Sequence, residues 1–516
     1  MKQKQMILIV TTLLCSLFLS TQADNSFDDH HHETFGKTFF NPRSPTLNKA
    51  QESSGVARFM WPSQDCTLNG FASVASEFAI SFNKNAVGQY IFFNGSSTMK
   101  TGTAAGPGVD IFGENFLLND NFTDAITANP QVKTEVIDFS FYAELNSILD
   151  GLYVLAHVPI CWAHWSVDLT ETVSFVGTTI GAQQLGNLTA QPAPFNSLID
   201  AWNGQAIFGD IKEPMKFARV DGVQKKFKGG DVEVALGYTF IKDDCNYVSL
   251  NARGIIPTSN RPDGVYLFEP CTGNFHHYEV GFGILAGSEL WYCDNSKTLH
   301  GFINANLYHP CSTNQRRTFD LIDNGPGSRY LLFKRFDSTG RYAGEIVRGP
   351  NILTLDIKTH NMVHGDAVFM LDYNQGGFNW NIGYNIWGRT KDQITLKQTI
   401  PDATFGIAGL TGTNPLAGRD RTASQTTISG ANASQFDGGI SGTFLNNVYL
   451  TTDDIDINSA SHPGCFTHGI FTYLGYVWDC YALAPFVGLG TEVEFSGSGN
   501  DALRMWHVWG KFGLSF

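Results

Sequence analysis

Two groups of ionisable residues in this 516-residue chain have the types and spacing for chemistry. Glu492 and Glu494 stand two apart in an extended segment, so their carboxylates share a face. Paired acids of this kind do the work of glycoside hydrolysis. His276, His277 and Glu279 lie close together, and His300 follows a strand length later. Neither group is assigned a reaction or a metal. Residues i and i+2 on one strand are simply neighbours on a wet surface. No GxSxG elbow, HExxH pair or Gly-rich phosphate loop after a clean strand accompanies them. The expectation is no enzyme, no cofactor and no bound metal.

The elements that would position these residues are strands. Val232, Val234, Leu236, Tyr238 and Phe240 alternate with Asp231, Glu233, Ala235, Gly237 and Thr239. The same period of two recurs in 247–256, 278–286, 366–373, 378–389 and 483–495. Each segment has one apolar face and one face of Gly, Asn and charge. Many run to about nine residues or more, the length a tilted strand needs to cross a bilayer. Trp291-Tyr292 and Trp478 near strand ends suit interfacial girdles. In lipid every backbone N–H and C=O must pair within the protein, which a sheet achieves only by closing on itself. The fold class expected is all-β, a single transmembrane antiparallel β-barrel with long external loops. At roughly 25 to 28 residues per strand and connection, it would hold about 16 to 18 strands.

Alternation turns Asp231, Glu233, Arg253, Glu279, Asp366, Arg389, Glu492, Glu494 and Lys511 inward, as candidate pore-lining residues. Small and polar residues on that face suggest a wide, water-filled lumen. Facing acids and bases would set a transverse field there, and the acid excess predicts a mild cation preference.

Composition agrees. Charged residues are 16% of the chain, below the usual quarter or so. The balance of 34 Lys+Arg against 48 Asp+Glu gives a net charge of -14, which supplies no footprint for nucleic acid. Aromatic residues at 13% argue against disorder. Lys2, Lys4, the apolar run Met6 to Leu19 and Thr21-Gln22-Ala23 read as a signal peptide, residues 1–23. Residues 24–65 form a polar N-terminal extension with His30-His31-His32, either periplasmic or tucked into the barrel mouth. Residues 66–516 form the barrel. Early strands are read in VIDFSFYAEL, LYVLAHVPI and WSVDLTETV. The stretch 252–273 reads as a long loop able to fold inward, and 406–440 as another long connection. Eight cysteines follow the signal, an even number that permits disulfides, with Cys271 and Cys311 a possible pair.

The chain ends RMWHVWGKFGLSF, with Phe512, Leu514 and Phe516 on one face. This resembles the last strand of bacterial outer-membrane β-barrel proteins, porin-like ones among them. The resemblance implies that Phe512, Leu514 and Phe516 are the signal read by the barrel assembly machinery. It also implies contact with outer-membrane lipid and lipopolysaccharide, a bacterial outer-membrane location, and a homo-oligomer with a trimer favoured. The function expected is a porin for passive diffusion of small hydrophilic solutes or ions. A surface adhesin or surface-layer protein anchored by the barrel is the alternative, and a secreted soluble all-β protein the third reading.

Overall fold

The computed structural model describes residues 41–516, apart from 64–68, 103–107, 120, 179–191, 221, 294–296, 409–421, 424–425, 430–447, 480–482 and 499–502. The expected signal peptide and the His30–His32 run lie outside the described residues.

Twelve strands form the barrel: β1 (Gly70–Ser81), β2 (Gln131–Glu144), β3 (Leu152–Ser166), β4 (Val232–Lys242), β5 (Asn246–Ile256), β6 (Glu279–Cys293), β7 (Lys297–Pro310), β8 (His364–Gln375), β9 (Phe378–Arg389), β10 (Cys465–Val477), β11 (Ala484–Ser498) and β12 (Met505–Ser515). Each pairs antiparallel with its sequence neighbours. β12 then returns to β1, with Phe71 opposite Ser515 and Ser81 opposite Met505, and the ring is closed. Within this ring of twelve strands no backbone edge is left for lipid to meet unpaired.

The period-two pattern sorts the faces as expected. Along β4, Val234, Leu236, Tyr238 and Phe240 are exposed, whereas Glu233, Ala235 and Thr239 are buried. The exposed belt continues through Val280, Phe282, Leu489, Val508 and Phe512. Trp291, Tyr292 and Trp478 stand exposed at strand ends, where an amphipathic ring sits between hydrocarbon and water. A soluble protein would cover such a belt, so the reading as a secreted soluble protein falls.

The count is twelve rather than 16 to 18. The physical reason is where the chain is spent. Connections alternate between the two ends of the barrel. Residues 145–151, 243–245, 294–296, 376–377 and 478–483 join strands at one end. Residues 82–130, 167–231, 257–278, 311–363, 390–464 and the short 499–504 join them at the other. The long connections build a folded cap rather than more wall. Among the described residues it contains four small sheets, formed by 98–102, 111–112, 123–128 and 169–175, by 313–318, 354–361 and 392–396, by 332–336, 342–348 and 405–407, and by 320–321 with 455–456. Cores around Phe92, Phe116, Trp202 and Tyr330, and around Phe319, Leu331, Phe333 and Ile357, hold it together. Arg329 reaches both carboxylate oxygens of Asp320 at 2.9 and 2.7 Å. The segments LYVLAHVPI and WSVDLTETV are not two barrel strands. The first, with Trp165 and Ser166, lies in β3, and the rest enters the cap strand Leu169–Phe175.

Cys271 and Cys311 do not pair. The loop 257–278 turns inward and buries Cys271 against Phe275, while Cys311 is exposed beyond the end of β7.

Candidate transport lumen

The lumen is occupied by the chain's own residues 41 to 61. Asn48 opens the short helix Lys49–Ser53 by accepting from the backbone N–H groups of Ala50 and Gln51. The segment begins among the long connections. There the Asn41 amide lies 3.6 Å from the Met505 sulfur, and Arg389 donates to the Pro42 carbonyl at 3.2 Å. It ends among the short turns. There Trp61 packs edge-on to Tyr247 and lies 4.8 Å, centroid to centroid, from the His300 ring, and the Ser63 N–H donates to Glu144 at 3.1 Å. The plug therefore runs the whole length of the barrel.

Its upper half is held by charge. Arg43 pairs with Glu494. The Lys49 ammonium sits 2.6 Å from both Glu52 and Glu233. Glu233 also pairs with Arg253 and accepts from the Tyr308 hydroxyl at 3.0 Å. His157 bridges Glu52 of the plug at 3.2 Å and Asp138 of the wall at 3.1 Å. His507 stands 2.6 Å from Glu77 and 3.4 Å from Glu494. Lys511 donates to the carbonyls of Glu52 and Ser54 at 3.1 and 2.8 Å. Buried charges persist only when paired in this way.

The lower half is held by packing. Val56, Ala57, Phe59 and Met60 of the plug meet Phe71, Tyr142, Tyr153, Tyr473, Phe486 and Trp509 of the wall. These rings explain several of the inward glycines. A Cβ on Gly237 would strike the Tyr153 ring, and one on Gly490 would strike the Trp509 indole. The inward glycines thus make room for side chains, aromatic rings in the lower half and polar groups such as Glu492 beside Gly469, rather than for water.

All nine inward residues expected from the alternation are buried inside the wall or its mouth. Glu233, Arg253, Glu494 and Lys511 touch the plug or its direct partners. Asp366 accepts from Asn306 at 2.7 Å, and Glu492 from Asn385 at 3.0 Å. Arg389 also pairs with Asp392. Asp231 and Glu279 hold the inward loop, each bonded to Asn274. Glu279 also contacts His364 at 2.5 Å. Sequence reasoning missed Arg43, Lys49 and Glu52, which lie in a segment without periodicity. Glu77, Asp138, His157 and His507 share the inward parity of their strands, and that signal could have found them.

The acids Glu492 and Glu494 share a face but are turned to separate partners. His277 contacts the Cys311 carbonyl at 2.8 Å, and His276 that of Ser259 at 3.1 Å. Among the described residues no cluster of three or more His, Cys, Asp or Glu is arranged to hold a metal ion. Phe512 and Leu514 face outward, and Phe516 packs against Phe141 with ring centroids 6.3 Å apart.

No known family and no curated protein matches the sequence. Among solved structures, an outer-membrane channel from Pseudomonas putida F1 aligns over 87% of this chain and 96% of its own, at 9% identity and a TM-score of 0.32. A FadL homologue from Pseudomonas aeruginosa covers 86% and 89%, at 9% identity and 0.26. The beta domain of the Bordetella autotransporter BrkA covers 87% and 100%, at 8% identity and 0.26. These likenesses are slight, and the barrel is established by its own strand pairing. The chain is a closed twelve-stranded antiparallel β-barrel with an apolar outer wall and a charged lumen.

Proposed function

We propose that the protein is a passive outer-membrane channel for small hydrophilic solutes or ions, closed in this conformation by residues 41–61 and opened when that segment leaves. The observation that carries the reading is the chemistry of the seal. The plug is held in its upper half by ion pairs and hydrogen bonds that water can replace, not by a continuous apolar core. The plug also brings the cations Arg43 and Lys49, together with Glu52, to a wall whose acids Glu77, Asp138, Glu233, Asp366, Glu492 and Glu494 outnumber Arg253, Arg389 and Lys511. Its departure leaves an acidic lining, which supports cation preference.

A second reading is favoured by a different observation. The lumen is filled and the long connections fold into a cap with its own cores, as suits a barrel that anchors a surface domain.

Planar-bilayer conductance separates the two. Arg43→Gln and Lys49→Gln together remove the plug's cations and leave the wall intact. Breaking buried pairs costs about 3 to 5 kcal/mol, enough to raise the open population at least about tenfold. The expected result is rare openings in the native protein and frequent, cation-preferring openings in the variant. Heat-modifiable migration on a gel shows that both are folded. Silence from both folded proteins would overturn the channel reading and leave the anchor.

A further inference from the structure

The outer wall around β2 and β3 carries a feature that neither plug nor lumen uses. The strand Val223–Gly229 pairs with the upper half of β3, above the point where β4 leaves it. Register aligns Lys133 of β2, His164 of β3 and Lys225 of this strand in one row. All three positions have outward parity. Neighbouring strands are about 5 Å apart, so the three cationic or donor side chains converge over a patch the size of one phosphate group. Among the described residues none of the three has a carboxylate within salt-bridge reach.

What lies below and above the row fixes its depth. One row toward the short turns, Trp162 and Phe227 stack with centroids 4.4 Å apart. Below them come Ile137 with Ile160, then Phe139 with Val158, both outward pairs. One row above are the donors Gln131 and Ser166, with the exposed Val223 beside them. Apolar wall, aromatic pair and cation row follow one another as hydrocarbon, interface and headgroup layers do. Glu135, in register with Trp162, is the one acid in this set.

We propose that this row binds the phosphate-bearing headgroup of an anionic membrane lipid in the leaflet on the long-connection side, with the acyl chains lying down the wall below Trp162 and Phe227. Charge complementarity and the apolar track beneath the cations select a lipid over a soluble anion. The site is independent of whether the lumen conducts.

The test titrates a diphosphorylated glycolipid into the detergent-solubilised full-length protein and counts bound lipid by native mass spectrometry, with phosphatidylcholine as reference. The native protein is expected to prefer the glycolipid by roughly 10- to 30-fold. Lys133→Gln with Lys225→Gln should abolish that preference. Glu135→Gln should strengthen it, and Lys212→Gln, an exposed lysine of the cap, should leave it unchanged. Heat-modifiable migration confirms folding for each variant. Equal preference in the native and Lys133/Lys225 proteins, or displacement of the lipid by inorganic phosphate alone, would overturn the proposal.

Discussion

Glu233 shows how single residues hold this lumen. It is fully buried, yet it meets Lys49, Arg253 and the Tyr308 hydroxyl, so the desolvation cost of its charge is offset on several sides. Its inward position could be read from alternation alone. Its partner Lys49 could not, because that residue is 184 positions away in a segment with no period. Glu269, in the inward loop, is placed differently. Burial and the nearby Asp263 push its carboxyl up from 4.5 to about 7, against donation from the backbone N–H groups of Asp263 and Gly264. The folded loop therefore holds this proton more tightly than the unfolded chain does. That contribution is fully present below pH 4.5 and is lost as pH rises through about 7. A shift of this size is worth about 3 kcal/mol. Hydrogen exchange in residues 257–278, corrected for intrinsic rates, should quicken between about pH 5 and about pH 7.5. Glu269→Gln should flatten that rise; an unchanged pH profile would contradict the assignment.

At the scale of elements, the strands were legible because burial on one side and lipid on the other impose a strict period of two. Their number was not, since residues 311–363 and 390–464 also contain short strands, and nothing local separates a cap strand from a wall strand. The inward glycines were misleading for a related reason. A glycine is small in sequence, but the ring that fills its space comes from the neighbouring strand. Gly490 on β11 lies under Trp509 of β12, whose indole N–H donates to Ser54 of the plug at 3.2 Å. Gly490→Ala should displace the ring and lower stability by about 1 to 3 kcal/mol. The urea midpoint for loss of the heat-modifiable form measures this. Gly510→Ala is the control, because its added methyl would meet only Leu489 at an ordinary 3.5 Å. Equal midpoints for the two variants would mean that the ring does not lean on the glycine.

For the whole molecule, the direction of the plug sets the topology. Asn41 sits beside Met505 at the long-connection mouth, and Trp61 sits beside Tyr247 and His300 at the short-turn end. β1 then starts from that same short-turn end, opposite the last residues of β12. The chain thus crosses the barrel once inside the lumen before it crosses again as wall. Outer-membrane barrels keep their short turns on the periplasmic side and their long loops outside. An epitope placed directly ahead of Asn41 should therefore be labelled on intact cells. A second epitope in the exposed turn at Thr339 should label equally, and a third between Gly376 and Gly377 should label only after the outer membrane is permeabilised. If the first epitope instead behaves like the third, the segment enters from the short-turn side, and the ion pairs of Arg43 and Lys49 cannot be those that close the lumen.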